Sequence, residues 1–419
     1  VAAVPSSTNP RGEGYTAKEV AMADVVVLAY SGGLDTSVAL KWLQVERGFD
    51  VVALSVDVGQ QEDLEAVRER ALATGAIAAE VDDARDAFAD LYVARAIKAN
   101  ARYENRYPLV SSLSRPLISE RLVEIARRYN ARAVAHGCTG KGNDQVRFEL
   151  ALAALAPDLE VLAPVREWGM NREETIDYGR RHGVALTATK ENPYSIDQNL
   201  WGRAVECGEM EDPWASPPSD VWAYTTARLA ELPDQVVIGF EAGVPVSLDG
   251  ERLPLVELVD RLNRLAGSWQ VGRIDMVENR RVGIKSREVY EAPAAVVLLE
   301  AHRQLEDLTL ERELAHTKIE LGLRWATLVY DGLWFSPLKR ALDAFIDDAS
   351  EVVTGEVRVR FAPNSFIVEG RRSPTSLYDY ELATYAAEDS FRHRDAEGFV
   401  RIFGLGIRTW AERQGVRRP

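Results

Sequence analysis

From Val25 to about His182, short apolar runs alternate with longer amphipathic stretches. The runs at 25–30, 51–58, 76–81, 132–136 and 160–165 are almost continuous in Val, Leu and Ala, as strands buried on both faces are. Stretches 36–46, 62–73, 116–129 and 145–154 between them predict helices. Strand and helix in strict alternation predict an α/β fold with a doubly wound parallel sheet.

After Gly183 the rhythm breaks. Pro193, Pro213, Pro217 and Pro218 punctuate the chain, and 235–240 and 244–248 predict antiparallel strands joined by a Gly-containing turn. Helices follow at about 254–266, 293–307 and 337–348, and 356–361 alternates around Val357 and Val359 as a strand. The expected organisation is a first domain over 22–185, a second, α+β domain over 186–388, and a tail over 389–419. That tail carries Phe391, Phe403, Leu405, Ile407 and Trp410, too much apolar surface for a free end, and is expected to dock on a neighbouring subunit. Residues 1–21 hold Pro5, Ser6, Ser7, Pro10 and Gly12 and predict a disordered lead; Met22 is one candidate for the true start, a genuine flexible extension the other.

Composition narrows the partners. The 419 residues exceed the roughly 250–300 at which single cores stop growing. A net charge of −15 argues against a nucleic-acid backbone as partner, since binding one needs a basic footprint. No apolar run nears the roughly 18 residues of a membrane span. Two cysteines, Cys138 and Cys207, cannot build a disulfide framework, and a cytoplasmic protein is expected. Five scattered histidines without an H-x-x-x-H pair make transition-metal chemistry an unpromising reading.

The strongest chemical signal is Ser31-Gly32-Gly33-Leu34-Asp35-Thr36-Ser37, which follows the first strand and opens the first helix. Paired glycines let backbone N–H groups converge on an anion, the helix N-terminus adds partial positive charge, and three hydroxyls stand at the same spot. The plainer alternative is a strand-to-helix turn capped by Asp35 or Thr36. Neither G-x-x-x-x-G-K-[ST] nor G-x-G-x-x-G is present. The run resembles the loop of the N-type ATP pyrophosphatases, which hold the pyrophosphate of ATP while the α-phosphate is attacked.

Four further stretches bear on the choice within that group. Residues 103–116 gather aromatic, hydroxyl and guanidinium groups before a helix that Pro116 is expected to open; the plainer reading is an ordinary helix approach capped by Ser114, and the density of donors favours an anion or amino-acid site. Residues 136–148 repeat the order strand, Gly-rich loop, helix, with Thr139, Lys141, Asn143 and Arg147 as donors; Asn143 and Arg147 stand four apart on one face. The runs 192–199 and 271–291, each taken alone, read as solvated loop.

Together the five stretches resemble the argininosuccinate synthase family, from about Asp24 into the tail. The resemblance implies an ATP-dependent ligase of arginine biosynthesis and the urea cycle that joins L-citrulline to L-aspartate through citrullyl-AMP, releasing AMP and pyrophosphate. It implies ATP contacts from Ala29, Tyr30, Ser31, Gly32, Gly33, Leu34, Asp35, Thr36, Ser37, Val56 and Gly137. Aspartate would be held by Thr139, Asn143 and Asp144, and citrulline by Tyr107, Ser112, Asn143, Arg147, Ser195, Glu278 and Tyr290. Asp35, Lys141 and Asp144 are the candidate catalytic residues: Asp35 to hold Mg²⁺ or order the loop, Lys141 as a cation near the reacting groups, Asp144 to orient the aspartate amine. Mg²⁺ is expected with ATP because it neutralises charge building on the phosphates. A homotetramer is implied as well. One position departs from some members, which place a citrulline-contacting serine where this chain has Ala204. A tRNA thiolase with the same loop would need a working cysteine pair and a basic RNA surface. A non-catalytic nucleotide sensor would be expected to have lost part of the loop or of the donors at 139–147.

Overall fold

The computed structural model describes residues 24–185, 194–226 and 233–416. The lead at 1–21 lies outside the described residues. Strands β1 (Val25–Ala29), β2 (Asp50–Asp57), β3 (Ala78–Asp83), β4 (Ala133–Ala135) and β5 (Glu160–Leu162) pair in parallel in the order β3-β2-β1-β4-β5. The α/β expectation holds. Burial on both faces explains the unbroken apolar runs: Val27 and Val52 enter one core, while Val26, Leu28, Val51 and Ala53 enter the other. Strand order reverses between β1 and β4, and the crevice beyond their carboxyl ends is where such sheets bind ligands.

One helix differs from its expected form. The Val110–Arg128 helix starts six residues ahead of Pro116, which lies inside it. The start is set by Tyr107, whose Oη accepts the Ser111 N–H at 2.9 Å and so satisfies a first-turn donor. Ser114 is no cap: its hydroxyl turns back to donate to the Ser111 carbonyl at 3.0 Å.

The rest of the chain forms two antiparallel sheets with helices, as an α+β pattern requires. Strands β6 (Ser195–Asn199), β7 (Gly202–Glu206), β11 (Arg273–Asn279) and β12 (Lys285–Glu291) build one, in the order β11-β12-β7-β6. The other, in the order β10-β9-β8-β13-β14, uses β8 (Gln235–Glu241), β9 (Val244–Leu248), β10 (Glu251–Arg252), β13 (Gly355–Ala362) and β14 (Ser365–Arg372). The expected helices appear as Leu255–Ser268, Pro293–Thr309 and Pro337–Ser350, and Arg312–Tyr330 adds one that the apolar pattern did not single out.

The β6/β7 turn stitches this part to the parallel sheet. Leu200 N–H donates to the Val58 carbonyl (2.8 Å), Asn199 Nδ2 to Val110 O (2.7 Å), and Trp201 Nε1 to Pro108 O (2.8 Å). Gly59, at φ +88°, sits where a Cβ would come within 2.9 Å of Leu200, so both its backbone angle and the close approach require glycine. The terminal helices His393–Phe403 and Leu405–Gln414 bury none of their residues within one chain, and leave Phe403 80% exposed and Ile402 71%.

Candidate active site

The carboxyl ends of β1 and β4 and the face of the β11-β12-β7-β6 sheet enclose a cavity of about 710 Å³. Its wall includes Ala29, Tyr30, Ser31, Asp35, Thr36 and Val56 from the first half of the sheet, and Gly137, Thr139, Asn143, Asp144 and Arg147 from the β4 side. Tyr107, Ser195, Glu278 and Tyr290 complete it. Five separate stretches of chain thus converge on one space. The runs at 195–199, 273–279 and 285–291 are strands, not loops; they carry polar residues because Ser195 to Gln198, Glu278, Glu288 and Tyr290 line this cavity.

The phosphate loop is built as an anion cradle. Gly32 takes φ +72°, Gly33 stands at the helix N-cap, and no side chain caps the helix, so neither Asp35 nor Thr36 occupies its first N–H groups. The hydroxyls are tied to one another: Ser31 Oγ lies 3.1 Å from Thr36 Oγ1, and Ser37 Oγ 2.9 Å from Tyr30 Oη. Arg70 steadies the loop from behind by donating to the Gly32 carbonyl at 2.7 Å. Asp35 stands on the cavity rim, where the surrounding protein raises its carboxyl pKa and Arg172 opposes that rise. At Gly137 a Cβ would meet Thr36 Cγ2 at 2.8 Å, so glycine brings the β4 loop close against the phosphate loop.

Opposite lies a charged lattice. Arg115 donates from Nε and Nη2 to Asp144 Oδ2 (3.0 and 2.8 Å) and from Nη2 to Asp197 Oδ2 (2.6 Å). Arg147 donates to Asp144 Oδ1 (2.7 Å) and to the Tyr330 carbonyl (3.0 Å), with its guanidinium 5.0 Å from the Tyr330 ring centre. Burial alone would push the Asp144 carboxyl up, but Arg115 and Arg147 outweigh it and hold the group well below the usual carboxylate range. Asp144 is therefore a fixed anion able to orient an ammonium or amine, and a poor proton acceptor. Asn143 is pinned at both ends, Nδ2 donating to Tyr330 Oη (2.8 Å) and Oδ1 accepting from Arg281 N–H (2.9 Å).

The far wall holds carboxylates. Tyr290 Oη lies 3.0 Å from Glu278 Oε2 and 2.8 Å from Glu288 Oε2. Arg280 bonds Glu288 at 2.7 Å and also Glu206. Burial first, and then the Glu288 charge, push the Glu278 carboxyl up to about 8. Ala204 sits on β7 opposite Tyr290, lining the cavity without a hydroxyl.

Six of the expected residues do not line the cavity: Gly32, Gly33, Leu34 and Ser37 lie within or behind the loop, and Ser112 and Lys141 stand elsewhere. Ser112 is fully buried beside the lining residue Ser111, and its hydroxyl has no hydrogen-bond partner among the described residues. The Lys141 side chain is exposed on the outer loop, and only its carbonyl is engaged, by Arg280 at 3.3 Å. The cations that do face the cavity are Arg115, Arg147, Arg203 and Arg280. His136 closes the strand end, its Nδ1 accepting from Cys138 N–H at 3.3 Å.

Sequence reasoning missed the supporting partners Asp197, Glu206, Glu288 and Tyr330. Arg115 stood in a donor-rich run and could have been singled out. Tyr330, at the end of a distant helix, offered no local signal.

The comparisons with known proteins agree with this geometry. Residues 25–185 match the family described as arginosuccinate synthase N-terminal HUP domain, and residues 194–410 the arginosuccinate synthase C-terminal domain. Argininosuccinate synthase from Geobacillus kaustophilus is 57% identical over 382 residues, covering 91% of this chain and 94% of that protein. The one from Anoxybacillus flavithermus is 55% identical over 395 residues, covering 94% and 98%. That from Rubrobacter xylanophilus is 57% identical over 389, covering 92% and 95%. With both halves matched and the phosphate loop facing the charged lattice across one cavity, the chain belongs to the argininosuccinate synthase family.

Proposed function

We infer that this enzyme, a ligase, joins L-citrulline to L-aspartate at the expense of ATP. The observation that carries the reading is the single cavity in which the 31–37 loop faces Thr139, Asn143, Asp144, Arg147, Glu278 and Tyr290. In the first step the ureido oxygen of citrulline attacks the α-phosphorus, the α–β phosphoanhydride bond breaks, and pyrophosphate leaves. In the second the aspartate amine attacks the activated ureido carbon, loses its proton and displaces AMP. Both nucleophiles belong to substrates, so the protein's task is positioning and charge stabilisation, worth several kcal/mol each.

The roles follow from position. The backbone of Ser31, Gly32 and Gly33 and the Thr36 hydroxyl cradle the pyrophosphate, with Ser37 steadying the loop from behind through Tyr30 and Gly137 admitting the nucleotide beside them. Thr139 and Asn143 reach the aspartate carboxylates, and the ionised Asp144 orients its amine. Glu278 accepts the citrulline α-ammonium, and Tyr107 and Tyr290, stacked with ring centres 4.3 Å apart, border its aliphatic stem. Ser112 and Ser195 are assigned to citrulline, and Lys141 to the catalytic loop, by resemblance alone.

Mg²⁺ is the expected companion of ATP. Among the described residues no group of three or more His, Cys, Asp or Glu could hold a metal, while Asp35 sets one carboxylate on the rim beside the loop. That suits an ion bound by substrate phosphates and one protein carboxylate, where it would neutralise charge on the departing pyrophosphate.

A homotetrameric, cytoplasmic enzyme of arginine biosynthesis, and where the organism has one the urea cycle, is the biological setting we propose. Among the described residues no helix is long and apolar enough to cross a membrane, and the exposed apolar faces of the two terminal helices suit subunit docking. Pyrophosphate and AMP release measured with ATP and citrulline, with and without aspartate, tests the function. Aspartate-dependent formation of both is expected, and its absence would overturn the reading.

A further inference from the structure

The carboxylate wall of the cavity has more acceptors than protons to serve them. Tyr290 carries one hydroxyl proton, yet its Oη is within hydrogen-bond distance of carboxylate oxygens of both Glu278 and Glu288. If both carboxylates were ionised, one would face the Tyr290 oxygen lone pair to lone pair. A proton on one of the two resolves this: that carboxyl donates to Oη, and Oη donates to the other.

Charge around the pair points the same way. Glu278 is 2% exposed and the Glu288 side chain 13%. From β7 Glu206 adds a third carboxylate, and among the described residues the one guanidinium bonded to this trio is Arg280, shared between Glu206 and Glu288. From the Asp144–Leu155 helix Arg147 faces Glu278 but is already engaged with Asp144. Tyr107, Tyr103 and Tyr330, facing from the neighbouring segments, are neutral. Three carboxylates against one bonded cation leave the wall short of positive charge, in surroundings that disfavour an unpaired anion.

We propose that Glu278 and Glu288, bridged by Tyr290, share one proton in the free enzyme and release it to solvent when the α-ammonium of citrulline enters. Glu288 is thereby a positioning residue for substrate binding, acting through Glu278 and Tyr290. The step balances: the pair goes from one negative charge to two, and the incoming ammonium supplies the compensating positive charge. The burial-raised carboxyl of Glu278 is consistent with a pair still protonated near neutrality. The proposal rests on the assignment of the citrulline ammonium to Glu278.

The test is calorimetric titration of citrulline into the full-length enzyme, alone and with α,β-methylene-ATP present, at pH 7 in phosphate and in Tris. These buffers differ in ionisation heat, so the difference between them counts protons. Close to one proton released per citrulline bound is expected, declining by pH 9 as the free pair loses its proton in advance. Glu288→Gln should still bind citrulline while proton release falls, because the like charge opposing Glu278 is gone and burial alone is left to hold its proton; a purely structural role would change affinity and leave the proton count alone. Binding with less than about a quarter of a proton released by the unaltered enzyme would overturn the proposal and leave the substrate assignment standing. Undiminished release in Glu288→Gln would do the same. No citrulline binding under any condition, with the nucleotide analogue bound, would overturn the assignment and the proposal with it.

Discussion

Arg115 and Asp144 are joined twice over, Nε and Nη2 of the guanidinium both donating to the same Oδ2 at 3.0 and 2.8 Å. The remaining oxygen, Oδ1, is taken by Arg147 at 2.7 Å. Arg115→Ala would leave Asp144 held from one side only and strip Asp197 of its guanidinium. A stability loss of about 2–3 kcal/mol is expected by denaturant unfolding, below the roughly 3–5 of a fully buried pair because Asp144 partly faces the cavity. Steady-state kinetics should show a drop of at least about a hundredfold in kcat/KM for aspartate. Arg115→Lys should recover stability better than kcat/KM, since an ammonium cannot reproduce the two-pronged donation.

Gly137→Ala tests the fit between the β4 loop and the 31–37 loop. A methyl placed 2.8 Å from Thr36 Cγ2 must displace either the β4 loop or the phosphate loop. The KM for ATP should rise by about tenfold or more, while citrulline binding by calorimetry stays within about threefold of normal.

Asp35→Ala should leave the far-ultraviolet circular dichroism unchanged and reduce turnover below about a tenth of normal. Retained turnover would remove Asp35 from the phosphate chemistry.

Glu278 and Asp144 make opposite contributions to stability as pH changes. Glu278, raised from 4.5 to about 8, binds its proton more tightly in the folded chain, so its effect on stability worsens as pH climbs from 4.5 towards 8. Asp144, lowered from 3.8, contributes stability that is present above that value and lost as pH falls through its folded value. Glu278→Gln should therefore flatten the decline of the unfolding midpoint between pH 5 and pH 8, leaving the acid limb in place. An unaltered slope would show that Glu278 is not the group responsible.

Truncation before Asp389 removes two helices that bury no residue within one chain. Light scattering should show a smaller assembly than that of the full chain. An unchanged mass would reject docking by the tail.

The parallel sheet was legible because strands buried on both faces have nothing to alternate, so β1 and β2 read as plain apolar runs. The phosphate loop was legible because its residues are contiguous. Much less visible were β6, β11 and β12, whose polar residues serve a cavity wall and so imitate solvated loop. The Val110–Arg128 helix began early because the hydroxyl of Tyr107, four residues ahead, accepts the Ser111 N–H of its first turn, a local contact that the stronger signal of Pro116 masks. Lys141, which drew notice by following a glycine in a donor-rich loop, has its side chain exposed outside the cavity lining, while Arg115 and Arg147 supply positive charge at the lattice. Tyr330 could not be found from its neighbours, since its partners Asn143 and Arg147 lie some 180 positions earlier.

The stitches from Leu200 to Val58, Asn199 to Val110 and Trp201 to Pro108 set the spacing between the two walls of the cavity before any substrate arrives. The protein thereby carries a built-in gauge. On the proposed assignments, the loop that would present phosphorus stands at one end and the carboxylates that would take an ammonium at the other, and only an amino acid whose side chain spans the gap would touch both. A substrate one methylene too short must surrender one end, a penalty of about 1–3 kcal/mol that needs no residue dedicated to rejecting it. Selectivity for chain length is in this sense a property of how two sheets are fastened together.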